Sequence, residues 1–415
     1  MLKNYVKIAI KVLLRHKLFT FISLFGISFT LLILVVITSL IDHSFGTMAP
    51  EKKLDRTLSV TMAKLESTKG GLWTGPMLSY WFHNKYVKSL QTPEYVSISS
   101  FHSPIITYNG NERLVLDMKF TDGEFWKILD CKFLEGKPFS PEDVESRNPV
   151  VVINEKTRDD YFDGQRAYGK MIEADGTNYR VIGVVKNISI LRIMPYADIW
   201  VPITFHKEDL NKKTMTGSFP SFFSMILAKD KSDLTAIRNE FQQKISSFEF
   251  PEGRFNSLTV EASTYGEALA RTLFRSEEGK VGPLILILFI LMVLFLLLPT
   301  INLVNINVSR IIERLSEIGI RKSFGASSFT LAGQFLLENI IITLIGGAIS
   351  LILSLIVLAL INDSGLIPHA HLALNHRIFF YALIICFIFG IISGVYPAYK
   401  MSRLRPAEAL RGGRE

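Results

Sequence analysis

The stretch Val281–Ser309 reads VGPLILILFILMVLFLLLPTINLVNINVS, twenty-nine residues without an Asp, Glu, Lys or Arg. A helix needs about 20 apolar residues to cross the hydrocarbon core of a bilayer, and this run exceeds that length. Three further charge-free runs stand at Leu18–Ile41, Asn339–Asn362 and Ile378–Tyr399. The chain as a whole is 48% hydrophobic and 20% charged over 415 residues, and these four runs hold the apolar surplus. The reading is a membrane protein: an α-helical four-span bundle with a large extracytoplasmic α+β domain inserted between spans 1 and 2. That excludes a cytosolic enzyme, a secreted disulfide scaffold and a disordered tail protein. The first run is too long for a signal-peptide core, and Leu40, Ile41, Asp42 and His43 stand where small residues would mark cleavage, so it is expected to remain as an anchor.

The formal net charge is +8, and its distribution matters more than its size. Lys3, Lys7, Lys11, Arg15 and Lys17 precede the first run. Arg310, Arg314, Arg321 and Lys322 lie between the second and third, and Lys400, Arg403, Arg405, Arg411 and Arg414 follow the fourth. The connection between the third and fourth carries a single basic residue, Arg377. Basic residues collect on the cytoplasmic side of a membrane, so both termini are expected inside and the block His43–Lys280 outside. Lys3, Lys7, Lys11 and Arg15 recur every four residues and form a basic stripe on a helix that would lie on the inner leaflet. With the charge placed beside the membrane, nucleic acid is not an expected partner.

The expected layout is a cytoplasmic basic amphipathic helix (1–17), a first span (18–42), the extracytoplasmic domain (43–280) and a second span (281–309). A cytoplasmic segment (310–330), a third span (331–362), a short external loop (363–377), a fourth span (378–399) and a cytoplasmic tail (400–415) complete it. Within the external block, Leu58–Thr61, Pro149–Ile153, Tyr179–Val185 and Asp198–Ile203 read as strands, with turns at Asn109-Gly110 and Asp175-Gly176. The second of these, between Met171-Ile172 and Tyr179–Ile182, predicts a hairpin. Leu234, Ile237, Phe241 and Ile245 recur at three- and four-residue spacing and predict an amphipathic helix over Ser232–Ile245.

The common catalytic motifs are missing. No Gly-x-x-x-x-Gly-Lys-Ser/Thr phosphate loop occurs, nor His-Glu-x-x-His, Cys-x-x-Cys or Gly-x-Ser-x-Gly, so no catalytic or metal residues are assigned and no cofactor is expected in this chain. Glu338, at the start of the third span, is expected to snorkel or pair with a basic neighbour rather than relay protons. His369, His371 and His376 share the external loop without a carboxylate or cysteine beside them in sequence, a pattern more typical of a solvated loop than of a metal site. Pro299 and the pair Gly346-Gly347 interrupt membrane runs; the first reads as a kink, and the second as a close helix approach or a bend. Cys131 and Cys386 fall in different regions, so no disulfide between them is expected.

Between the second and third runs, Ile311–Ser327 reads IIERLSEIGIRKSFGAS. Glu313, Glu317 and Arg321 stand at i, i+4 and i+8, one charged face of a short helix, and Gly325 is an end signal. This segment resembles the ER-x-x-EIGI-RK-x-GA signature of the MacB/FtsX-type ABC transporter permeases. Gln334–Glu338 with Gly346-Gly347 is similar to the family's third span, and Gly394–Lys400 followed by Arg403–Arg411 is similar to its closing pattern. In the external block, Phe120–Phe139, Val150–Glu155, Gly169-Lys170 and Val181–Val185 resemble the family's extracytoplasmic domain in order and spacing. The resemblance is weakest over Leu54–Ile106 and Lys207–Glu261.

The resemblance implies a non-catalytic permease subunit in the inner membrane that pairs with a second copy or a paralogue. It further implies a separate ABC ATPase subunit, which holds the ATP and Mg, because only about 17 residues precede the first run. ATP-driven closure would move the external domains, a mechanism called mechanotransmission, for export or extraction of a peptide, drug or lipoprotein. By the same resemblance Glu313, Arg314, Glu317, Ile318, Gly319, Arg321, Lys322 and Gly325 form the ATPase-docking segment. Tyr396, Pro397, Arg403, Pro406, Ala409 and Leu410 belong to the C-terminal family motif. A periplasmic adaptor, an outer-membrane channel or a cell-wall hydrolase are external partners the family admits. The alternative is an FtsX-like signalling scaffold that activates a cell-wall hydrolase or a sensor kinase.

Overall fold

A computed structural model describes residues 14–15, 17–67, 71–75, 78–217, 220–250, 255–274, 281–313, 320, 324 and 327–402. In chain order, the helix α1 (Lys17–Phe45) leads into strands β1 (Thr57–Val60), β2 (Ala63–Ser67) and β3 (Leu72–Gly75), then β4 (Tyr95–Ser100), β5 (Ser103–Asn109), β6 (Glu112–Thr121) and β7 (Phe133–Gly136). There follow β8 (Val150–Asn154), α2 (Glu155–Phe162), β9 (Met171–Ala174), β10 (Thr177–Val185), β11 (Ile199–Pro202), β12 (Phe222–Leu227), α3 (Leu234–Ser246), β13 (Phe255–Val260) and α4 (Tyr265–Phe274). The chain then runs through α5 (Val281–Glu313), α6 (Ser328–Ser364) and α7 (His376–Ser402).

Two compact units result. One takes His43–Val281 together with Gly365–His371; the other takes the chain up to Asp42, Gly282–Ser364 and the chain from Leu372 onward. In the helical unit Ile27, Leu31 and Leu34 of α1, Ile342 of α6, and Ala382 and Cys386 of α7 form a shared buried core. Gly346 and Gly347 let α6 approach two neighbours at once. A Cβ on Gly346 would sit 2.8 Å from Ile27 Cγ2, and one on Gly347 would sit 2.5 Å from Leu383 Cδ1. Pro299 lies inside α5 without ending it. Among the described residues, Lys17–Phe45 and Leu336–Ser364 are helices long and apolar enough to cross a membrane; Val281–Phe295 and His376–Ile388 are shorter apolar helical stretches.

The other unit is α+β. Its main sheet runs β1-β12-β4-β6-β11-β8-β10-β7, with β5 paired to β6 and β9 to β10. β8 pairs parallel with β10 and antiparallel with β11, while β11 pairs parallel with β6. Such a central strand has both faces covered, which is why Val150–Ile153 is apolar at consecutive positions and the whole strand to Asn154 is buried. Trp126 stacks edge-on against Phe139 and Trp200 in the core. The predicted hairpin is β9–β10: Asp175 at φ 51° and Gly176 at φ 78° make the two left-handed positions that the tight turn requires. The β5–β6 turn closes one residue later than its sequence signal, on Gly110 and Asn111, since Asn109 pairs with Glu112. α3 buries Ile237, Phe241 and Ile245, the stripe its spacing predicted. A second sheet, β13-β2-β3, pairs Phe255–Val260 with Ala63–Ser67 across a long sequence separation. No sequence signal announced it.

Candidate functional site

The segment between α5 and α6 carries most of the residues assigned to ATPase docking. Glu313 is the last residue of α5. Arg314, Glu317, Ile318, Gly319, Arg321, Lys322 and Gly325 lie outside the described residues. Ile320 and Phe324 are described: the Phe324 amide donates to the Ile320 carbonyl at 3.1 Å, a helical i to i−4 bond. Ile320 is 49% exposed and Phe324 89% exposed. Two large apolar side chains one helical turn apart therefore stand open on this segment. The residues assigned to docking, which include Ile318, Gly319 and Gly325 beside the charged ones, contain neither Ile320 nor Phe324, although their i, i+4 spacing is visible in the sequence.

Of the C-terminal motif, Tyr396 and Pro397 fall within α7, and Arg403, Pro406, Ala409 and Leu410 lie outside the described residues. Glu338 is buried in α6 and accepts a hydrogen bond from Gln334 Nε2 one turn earlier, at 3.4 Å. Along the same helix Thr343 Oγ1 donates to the Asn339 carbonyl at 2.9 Å, and Ser350 and Ser354 are fully buried.

In the α+β unit a buried charged cluster connects loops to the sheet. Arg192 donates to Glu51 Oε2 at 2.7 Å and to the Gly46 carbonyl at 2.9 Å. Burial pushes the Glu51 carboxyl up, and the bond from Arg192 with the charges of Arg192 and Lys119 pulls against it. Lys119 of β6 is completely buried, donates to the carbonyls of Ile193 (3.3 Å) and Met194, and lies 5.3 Å from the centre of the Phe223 ring. Its burial pulls the ammonium down from 10.5 to about 7, against the opposing pull of Glu51 and Asp117. The three loop histidines separate: His369 approaches Asp198, His371 is exposed and His376 opens α7. Among the described residues no group of three His, Cys, Asp or Glu side chains is arranged to hold a metal.

Comparison with known proteins matches the MacB-like periplasmic core domain over residues 20–244, more than half of the chain, and the FtsX-like permease C-terminal region over 289–406. The chain is 24% identical over 327 residues to the uncharacterized ABC transporter permease YknZ of Bacillus subtilis, covering 79% of this chain and 77% of that protein. It is 26% identical over 303 residues to the macrolide export ATP-binding/permease protein MacB 1 of Yersinia pestis, covering 72% of this chain but 44% of that longer protein. Among solved structures, the periplasmic region of MacB from Actinobacillus actinomycetemcomitans matches at TM-score 0.37 and 15% identity, over 53% of this chain and 94% of that one. The extracellular domain of YknZ matches at TM-score 0.36 and 14% identity, over 49% and 98%. With a MacB-like periplasmic core domain ahead of an FtsX-like permease region, this chain belongs to the ABC transporter permeases of the MacB/FtsX type.

Proposed function

We propose that this chain is the transmembrane subunit of an ATP-driven complex in the inner membrane. Its helices α1, α5, α6 and α7 make four crossings with both termini in the cytoplasm, and the α+β unit works in the periplasm. It pairs with a second copy or a paralogous permease. A separate ATPase subunit binds ATP and Mg and docks on the segment after α5, as the family resemblance implies. Glu313, Arg314, Glu317, Ile318, Gly319, Arg321, Lys322 and Gly325 form that docking segment. The cargo is a peptide, drug or lipoprotein taken from the periplasm or outer leaflet.

The observation that supports this reading is the exposed pair Ile320 and Phe324, set among charged residues in the segment proposed to dock. A Phe left 89% exposed gains by burial against a partner, at roughly 25 cal/mol per Å². The test is purification from native membranes with a non-hydrolysable ATP analogue, followed by assay of the recovered ATPase with Phe324→Asp and Glu317→Arg. Each substitution is expected to abolish permease-stimulated ATP hydrolysis while the permease stays dimeric. Full stimulation in both variants refutes the docking assignment, and recovery of the chain with no ATPase refutes the ATP-driven function. A co-purified cell-wall hydrolase or sensor kinase, with no cargo-stimulated hydrolysis, would replace export by signalling.

A further inference from the structure

Within the α+β unit, the two stretches where the family resemblance is weakest, Leu54–Ile106 and Lys207–Glu261, share one buried core that includes Phe82 and Tyr86 from the first and Phe241 and Ile245 from the second. Phe248 joins it, its ring 5.9 Å from that of Phe82 and 5.1 Å from that of Tyr86. The chain enters this core through the helical turn Tyr80–Phe82 and continues in a π-helical turn, His83–Val87, whose carbonyl at His83 accepts the Lys88 amide at 2.8 Å. Ser79 Oγ accepts the Phe82 amide at 3.1 Å and caps the start. His83 fixes the turn to β12, donating to the Phe222 carbonyl at 3.2 Å and accepting from Ser224 Oγ at 2.8 Å.

The π-turn sets two aromatic rings against each other. On an α-helix, residues five apart lie about 140° apart around the axis. The i to i+5 bond of a π-turn brings the fifth residue back toward the first, and such turns recur at functional sites. Here Trp81 and Tyr86 meet with ring centroids 5.9 Å apart and planes at 83°, a right-angled corner. Lys85 fills it: its ammonium lies over both rings, 5.1 Å from the Trp81 centroid and 5.0 Å from the Tyr86 centroid. Both distances are within the range of a cation–π attraction. Lys85 is exposed, and among the described residues no carboxylate pairs with it. Tyr86 is 5% exposed and Trp81 is packed against the core, so the walls are fixed while the cation between them hangs on a flexible four-carbon stem.

We propose that the Trp81–Tyr86 corner is a binding site for an organic cation, an alkylammonium or quaternary ammonium group, and that Lys85 is its intramolecular occupant, displaced when the ligand enters. The ring faces supply negative potential without a fixed anion, which suits a cation that carries its charge among carbon atoms and gives up little water on entry. Displacing Lys85 breaks no salt bridge, so its contact with the rings weakens the ligand only by the fraction of time that it occupies the corner. The site rests on the corner alone and does not depend on ATPase docking.

The experiment is saturation-transfer difference NMR on the full-length protein in a neutral maltoside detergent, with tetramethylammonium chloride as the probe, its methyl protons as the readout and sodium chloride holding ionic strength constant. Wild type should give a saturable signal. Lys85→Ala, an exposed substitution that empties the corner, should lower the tetramethylammonium Kd roughly two- to five-fold. Lys186→Ala removes the same charge from another exposed lysine and should leave Kd unchanged. Trp81→Leu keeps an apolar side chain on the core but removes one wall, and should abolish the saturable signal while the urea unfolding midpoint shows the unit still folded. The site is overturned if neither wild type nor Lys85→Ala gives a saturable signal, or if folded Trp81→Leu binds as wild type does. Displacement of Lys85 is overturned if Lys85→Ala binds no tighter than wild type, or if Lys186→Ala tightens binding equally.

Discussion

Replacing Lys119 by Met tests whether the sheet carries a buried charge at neutral pH. The side chain is fully buried and its ammonium is pulled down from 10.5 to about 7. Between those two values the unfolded chain holds a proton that the folded chain has released, so folding stability rises with pH from about 7 toward 10.5 and is flat below 7. At about 1.4 kcal/mol per pH unit, the gap amounts to about 5 kcal/mol, of which about 3 falls between pH 7 and pH 9. Lys119→Met removes this dependence. It also leaves the Ile193 and Met194 carbonyls without their donor, a cost of about 1–3 kcal/mol each that does not change with pH. The sign of the difference at a single pH therefore decides nothing; its change with pH does. All four tryptophans, Trp73, Trp81, Trp126 and Trp200, lie in the α+β unit, so urea unfolding of the full-length protein in detergent, followed by tryptophan fluorescence, reports that unit alone. The stability gap between wild type and variant should widen by about 3 kcal/mol in favour of wild type from pH 7 to pH 9. Parallel curves, with a gap constant to about 0.5 kcal/mol, would refute the buried-ammonium argument.

His83 predicts the acid limb. It is fully buried and neutral, with Nε2 donating to the Phe222 carbonyl at 3.2 Å and Nδ1 accepting from Ser224 Oγ at 2.8 Å, and burial lowers it from 6.5 to about 3. The unfolded chain therefore binds the extra proton between pH 6.5 and about 3, and up to about 5 kcal/mol of stability is lost as pH falls through that window. His83→Gln should shift acid unfolding, read by the same fluorescence, to lower pH; an unmoved midpoint would show that His83 does not drive it. In the helical unit, Gly346→Ala should cost more thermal stability in detergent than Gly347→Ala. The added methyl at 346 meets Ile27 near its branched Cβ, whereas at 347 it meets the movable end of Leu383. The reverse order would mean that the α6–α1 contact is the looser of the two.

Local pattern was legible wherever one element decides its own burial. The alternation and turn chemistry around Asp175-Gly176, the spacing of Ile237, Phe241 and Ile245, and the glycine pair of α6 all reappear as hairpin, helix face and close approach. The segment after α5 was assigned to docking by resemblance alone, and the exposed Ile320 and Phe324 were not among the residues chosen, because an apolar residue beside a membrane run is ordinarily assigned to the lipid or the core. His369 read as part of a solvated loop because its partner, Asp198, lies 171 positions away.

By itself the sequence determined the class of the molecule: charge-free runs of membrane-spanning length, an α+β block between the first two, and the motifs of an ABC permease. These are properties of composition and short spacing, and water or lipid enforces them on each segment independently. Only the tertiary structure decided which distant groups share a desolvated space. Lys119 against the carbonyls of Ile193 and Met194, Glu51 against Arg192, the β13–β2 pairing and His369 beside Asp198 each join parts of the chain far apart in sequence. Their energy depends on burial and geometry that exist only once the sheet has assembled, and no local pattern records them.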